Sequence, residues 1–284
     1  MPDTEKQPDN EILTLRNQMK KIYLIAFLSL IFVFPLVADE YLIICSGQSN
    51  MAGAAPISEL PEKFKTVPAN VILFQYTDPD KLVEPLAPLT TFANSPFFGP
   101  VPSFVHALGT ARPKDKFIIL FDAVGGSALM QWVPDYEPKK LTFFTNNGTV
   151  WQQKAGLYYE PLSQRIALAR KAYPNAKPLA FLWLQGESDK GPLAGVYLDN
   201  FQRLVTNLRR DCAAPDLLII AGEPGLADDG VYKALYEFTK IEKNSALVKG
   251  RDLSHKQLHY DSKGYLELGK RFSTALLPHI PQTF

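Results

Sequence analysis

The sequence predicts an α/β fold, a mostly parallel sheet covered on both faces by helices. Three observations predict it. Short apolar runs recur at 41–45, 71–76, 117–123, 180–184, 217–221 and 246–248, and several lack polar alternation, as strands buried on both faces do. Amphipathic helical patterns lie between them. The segments able to carry chemistry follow the runs, and open α/β sheets place their sites at the carboxyl ends of strands.

Taken in order, the chain begins with polar residues 1–18, which show no period. Lys20-Lys21 then precede an apolar stretch, 22–38, that ends on small Ala38 before Asp39-Glu40. That is the layout of a secretory signal. Translation is expected to start at Met19, with cleavage near Ala38 and export of the product. The alternative is a retained single-pass anchor, and only then would the chain touch a membrane. Residues 39–284 are expected to form a single domain.

The run 41–45 leads into Gly47-Gln48-Ser49-Asn50-Met51, a turn into a helix that places Ser49 near backbone donors. The Pro-rich stretch 78–102 is long for a connection and reads equally as a cleft wall or a covering loop. His106 falls in a helix after Gly99-Pro100. Gly125-Gly126 follow the run 117–123. Leu162, Ile166 and Ala169 start a helix face that Tyr173-Pro174-Asn175 ends. Gln185 follows 180–184. Tyr197, Phe201, Leu204, Val205 and Leu208 share one helix face, with Cys212 after it. Tyr265, Leu268, Phe272 and Leu276 form the last helix face, capped by Asp261 or Ser262 and closed by Pro278.

Composition narrows the function. The chain has 284 residues, of which 21% are charged and 12% aromatic, so a packed core is expected. A formal net charge of +1 gives no electrostatic case for nucleic acid. No His-Glu-x-x-His or Cys-x-x-Cys points to a metal. Cys45 and Cys212 read as unpaired structural cysteines, although export would permit a disulfide.

A nucleophilic serine needs a base. His106 and His279 read as structural or surface residues, whereas His255 and His259 share the polar loop that enters the last helix. Donors for a tetrahedral oxyanion would be the Ser49 N–H, the Gly125 or Gly126 N–H and the Gln185 amide. Glu187 and Asp189 read as loop-fixing acceptors. Asn50 and Trp132 are placed at the substrate. Trp132, Trp151 and Tyr158-Tyr159 offer rings for a sugar, with core packing as the stronger reading of each.

These residues resemble the SGNH hydrolases, in particular the branch of sialate O-acetylesterases and acetylxylan esterases of carbohydrate esterase family six. The resemblance rests on Gly47-Gln48-Ser49-Asn50-Met51, Gly125-Gly126-Ser127 with Trp132, Trp183-x-Gln185-Gly186-Glu187-Ser188-Asp189, and His259-Tyr260-Asp261 followed by Leu268-Gly269. It implies a flavodoxin-like α/β/α sandwich that removes acetyl groups from an acetylated carbohydrate without metal or organic cofactor. It assigns Ser49 as nucleophile, His259 as base, and Ser49, the diglycine and Gln185 as the oxyanion site. One position departs. The family carries Asp three residues before its catalytic histidine, and here that residue is Lys256. Asp252 stands three before His255 instead. Either His259 is the base with Asp252 or a backbone carbonyl orienting it, or the Asp252–His255 pair has shifted into the role. The first reading is preferred, because the spacing of His259 to Gly269 fits the family. A lipid esterase on the same scaffold and a carbohydrate-binding, catalytically weakened homologue remain as alternatives. An α/β-hydrolase lipase would want glycine where Met51 stands.

Overall fold

A computed structural model describes residues 38–76, 88–137, 143–144, 150–151 and 154–281, without the side chains of 138–153. The expected leader up to residue 37, the first part of the Pro-rich stretch (to residue 87) and the Trp151 ring lie outside the described residues.

All six apolar runs are strands of one sheet: β1 (Glu40–Gly47), β2 (Val71–Tyr76), β3 (Lys116–Ala123), β4 (Lys177–Leu184), β5 (Leu218–Gly222) and β6 (Ser245–Val248). Their order is β6-β5-β4-β1-β3-β2, and every adjacent pair is parallel. β4 begins before the apolar run, at Lys177-Pro178, and its register against β1 shifts between Leu42 and Ile43. Pro178 has no N–H for the ladder, and a bulge near a strand start is where a sheet tolerates proline.

The helices are α1 (Ser49–Ala52), α2 (Val101–Ala111), α3 (Tyr159–Ala172), α4 (Pro192–Gly195), α5 (Tyr197–Asp211), α6 (Asp229–Ile241) and α7 (Ser262–Leu276). Successive strand residues point to opposite faces, so β1 feeds two cores. Leu42 and Ile44 join Trp183, Leu162 and Ile166 of α3, Phe201 and Leu208 of α5, and Phe238 of α6. Tyr41, Ile43 and Cys45 join Phe104 and Leu108 of α2 and Leu268, Phe272 and Leu276 of α7. The result is a three-layer α/β/α sandwich. Cys45 and Cys212 are free, buried and in different cores.

This order places the site. The chain leaves β1 for the edge strand β2, returns in β3 beside β1, then crosses to β4 on the other side of β1. The carboxyl ends of β3, β1 and β4 therefore diverge around one point, and Gly125, Ser49 and Gln185 follow those three ends.

Candidate active site

The end of β1 locks onto the end of β4. The Gln48 N–H donates to the Leu184 carbonyl at 3.0 Å. Gly47 has φ +148°, and a Cβ there would lie 2.1 Å from the Leu184 oxygen, so only glycine fits this approach. The chain then turns, and Ser49 opens the single-turn helix α1. Its hydroxyl meets His259 Nε2 at 2.9 Å. With the ring proton on Nδ1, Nε2 accepts from Ser49 Oγ–H.

His259 comes from a two-residue antiparallel ladder that pairs His255 with Tyr260 and Lys256 with His259. Directly opposed residues share a face. The His255 ring packs at a tilt against Tyr260, 4.3 Å between centroids, so Lys256 and His259 occupy the other face. The structure thus brings His259, not His255, to Ser49.

Asn50 holds this ladder. Its Oδ1 accepts from the Tyr260 N–H at 3.1 Å and the Tyr265 hydroxyl at 2.9 Å. Its Nδ2 donates to the Leu258 carbonyl at 3.2 Å and to Glu187 Oε1. The residues before and after His259 are therefore both tied to the residue after Ser49. Asn50 is 0% exposed, which corrects its placement at the substrate: every polar atom of its side chain is committed inside the protein. Glu187 Oε1 also accepts from the Gly225 N–H at 3.2 Å, and burial pushes the Glu187 carboxyl above the usual range.

The expected orienter is elsewhere. Asp252 is exposed and forms a two-pronged pair with Arg271, at 2.7 and 2.8 Å. The Arg271 guanidinium holds its carboxyl below the usual range. A guanidinium fork satisfies both carboxylate oxygens at once, and this fork draws Asp252 toward α7. Among the described residues no carboxylate hydrogen-bonds His259, and Lys256 stands across the ladder from it.

The oxyanion donors divide. A Cβ on Gly125 would lie 3.9 Å from the Ser49 Cβ, so its backbone faces the nucleophile. The Ser49, Gly125 and Gly126 N–H groups meet no acceptor among the described residues, as expected for Ser49 in a first helical turn. Gly126 takes φ +72°, and its carbonyl accepts from Ser188 Oγ at 3.1 Å. Gln185 is a correction. It is 0% exposed, and its Nε2 faces Gln48 Oε1 at 3.1 Å, the Ser127 carbonyl at 3.0 Å and the Asp189 carboxyl. Its Oε1 accepts from the Tyr197 hydroxyl at 2.9 Å. The physical reason is Asp189, a fully buried acid that needs donors. Gln185 and the Leu129 N–H, at 3.1 Å, supply them. Burial pushes the Asp189 carboxyl up to about 7, against those two hydrogen bonds.

Trp132 is also corrected. It is buried, donates from Nε1 to Ser127 Oγ at 2.9 Å, and meets the Trp183 ring edge-on at 5.6 Å. It packs the core and presents no face to a sugar. Tyr159 likewise turns inward, its hydroxyl on Asp211 at 2.8 Å. A cleft of about 660 Å³ lies against the end of α1 and Gly125, lined by Gly53, Gln75, Asn94, Phe97 and Phe121 among others, so the described part of the Pro-rich stretch takes the cleft-wall reading of its two. Its only trace in the sequence is the length of the connection that supplies Asn94 and Phe97.

An α/β/α sandwich with these ordered motifs at its strand ends defines the class, an SGNH-type ester hydrolase. The profile of the carbohydrate esterase, sialic acid-specific acetylesterase family (SASA) matches residues 39–278, and the chain belongs to that family of carboxylic ester hydrolases. It is 27% identical to the Arabidopsis thaliana protein "Probable carbohydrate esterase At4g34215", covering 85% of this chain and 92% of that one. The crystal structure of the Arabidopsis protein AT4G34215 superposes with a TM-score of 0.67 at 23% identity, over 86% of this chain and all of that one. NanS gives 0.59 at 17% identity, over 85% and 98% of the two chains. XAC1771, a carbohydrate acetylesterase of Xanthomonas citri, gives 0.59 at 18% identity, over 83% of this chain and 55% of the other.

Proposed function

We propose that this protein is an exported esterase that removes O-acetyl groups from a carbohydrate through a Ser49–His259 dyad. The carrying observation is the 2.9 Å contact between Ser49 Oγ and His259 Nε2. Acyl transfer needs such a pairing of nucleophile and base. The family description and the names of the relatives support acetyl esters of carbohydrates as substrates, and the basic-then-apolar leader supports export.

Ser49 Oγ attacks the acetyl carbonyl carbon as its proton passes to His259 Nε2. The tetrahedral oxyanion sits against the Ser49 and Gly125 N–H groups, which have no other acceptor to leave. The imidazolium then protonates the departing sugar oxygen, and an acetyl-serine remains. Water, deprotonated by the same imidazole, releases acetate and restores Ser49. The backbone clamp on either side of His259 takes over the positioning that a carboxylate performs in a triad.

The test is acetate release from acetylated carbohydrate by wild type and Ser49→Ala, with folding checked by circular dichroism. A fall of about 1,000-fold or more is expected, on the scale of losing a triad member. A folded Ser49→Ala protein that keeps its turnover contradicts the assignment. A preference for octanoyl over acetyl esters would move the substrate to lipids.

A further inference from the structure

We infer that Ser188 is a positioning residue for acyl transfer: it ties the turn that carries the oxyanion donors to the turn that carries the nucleophile. This rests on the esterase reading above. The chemistry itself gives the Ser188 hydroxyl no task, and its task is read from what it holds.

The donors ride on a turn that its own residues leave loose. The Ser127 N–H donates to the Val124 carbonyl at 3.3 Å, which closes a four-residue turn around Gly125 and Gly126. Of these two only Gly126 has a positive φ, +72°, the pattern of a type II turn. Adjacent glycines accept φ of either sign, so a type I turn is open to the same residues. Passing from one type to the other rotates the peptide between the glycines by about 180°. The Gly125 carbonyl then stands where the Gly126 N–H stood, an acceptor in the place of a donor. An oxyanion hole works only while its donors are aimed in advance.

Ser188 fixes this turn from outside. Its hydroxyl donates to the Gly126 carbonyl at 3.1 Å. Its N–H donates to Gln48 Oε1 at 3.4 Å, an oxygen that also accepts from the Gly186 N–H at 3.3 Å and from Gln185 Nε2 at 3.1 Å. Gln48 directly precedes Ser49. One residue therefore holds the oxyanion turn with its side chain and the nucleophile turn with its backbone. Other members of the same segment secure the exit of the oxyanion turn. Gln185 Nε2 donates to the Ser127 carbonyl at 3.0 Å, and Asp189 accepts from the Leu129 N–H at 3.1 Å. Those bonds are buried, whereas the Ser188 hydroxyl bonds Gly126 at the solvent edge. There water replaces a lost partner, and little stability depends on the bond. Water satisfies the Gly126 carbonyl without aiming the peptide, so the loss falls on rate rather than on folding.

The experiment compares wild type, Ser188→Ala and Ser188→Thr, with 4-nitrophenyl acetate as substrate and 1,1,1-trifluoroacetone as inhibitor. Ser49 Oγ adds to the ketone carbon as its proton passes to His259, and the hemiketal oxygen carries the charge that the donors must hold. Ser188→Ala is expected to lower kcat about tenfold with KM changed less than about twofold, because misaimed groups cost rate. Its inhibition constant for the ketone should rise by the same factor, at an unchanged melting temperature. Ser188→Thr keeps the hydroxyl and should recover most of the rate. An unchanged kcat in Ser188→Ala overturns the inference, as does a rise in KM at constant kcat. So does a slower Ser188→Ala protein that binds the ketone like wild type or melts earlier in step with its lost rate. A Ser188→Thr protein as slow as Ser188→Ala overturns the role of the hydroxyl. Failure of wild type to hydrolyse any acetyl ester sinks the esterase reading itself, a result distinct from these.

Discussion

A 2.9 Å contact between Ser49 and His259 serves catalysis only while the imidazole holds its position, and Asn50 is the side chain that fixes it. One amide grips the Leu258 carbonyl and the Tyr260 N–H, so the loop cannot shift without breaking a part-buried and a buried hydrogen bond. Asn50→Ala is expected to lower kcat about 10- to 100-fold with little change in KM, because misplacing a reacting group costs rate on that scale. It should also cost about 1–3 kcal/mol of stability, since buried donors and acceptors lose their partners. Steady-state kinetics beside urea denaturation read both, and a rise in KM at constant kcat would return Asn50 to substrate contact. At this scale the meeting of Ser49 and His259 was legible in the ordered set of motifs, since a Gly-x-Ser turn or a lone loop histidine is ordinary by itself. Gln185, Asp252 and Trp132 were misplaced for one shared reason. Each is claimed by a partner that spacing alone does not reveal: Asp189 for the glutamine, Arg271 for the aspartate, Ser127 and Trp183 for the tryptophan.

At the level of elements, the strands were the most legible part. A strand covered on both faces must be apolar at nearly every position, so 41–45 and 117–123 stand out without any period. The helices α3, α5 and α7 were legible for the opposite reason, a single apolar stripe each. The Asp261 cap was readable too, and its carboxylate accepts from the Gly264 N–H at 2.8 Å. The single turn of α1 and the two-residue ladder of His259 were not, because elements that short carry no period. Their geometry comes from tertiary bonds, Gln48 to Leu184 and Asn50 to Leu258 and Tyr260. The cleft was half legible, as one of two equal readings of the Pro-rich stretch, but its other walls were not, since Gly53, Gln75, Phe97 and Gly125 meet only through sheet order.

For the whole molecule, the buried acids behind the site set a pH dependence of stability. The Asp189 carboxyl, pushed up to about 7 by burial, stays protonated in the fold where the unfolded chain, near pKa 3.9, has ionised. Between those values the folded state binds more protons, so the contribution of this group declines as pH rises from about 4 to about 7. Glu187, also raised by burial, acts in the same direction. Asp189→Asn keeps a carbonyl acceptor and removes the titration. Melting temperatures followed over that window should fall more steeply with pH in wild type than in Asp189→Asn. A wild type that gains on the variant as pH rises would reverse the sign and contradict this account of the buried pair.

The central claim is that Ser49 is activated by His259 within a dyad that no carboxylate among the described residues orients. Its most direct measurement is the rate of covalent labelling by diisopropyl fluorophosphate, located by peptide mass spectrometry, in wild type, His255→Ala and His259→Ala. The account predicts stoichiometric phosphorylation of Ser49, a wild-type rate in His255→Ala, and a rate at least about 100-fold slower in His259→Ala, the scale of general-base assistance. Labelling that slows in His255→Ala and persists in His259→Ala would contradict it and move the base to the other histidine of the loop.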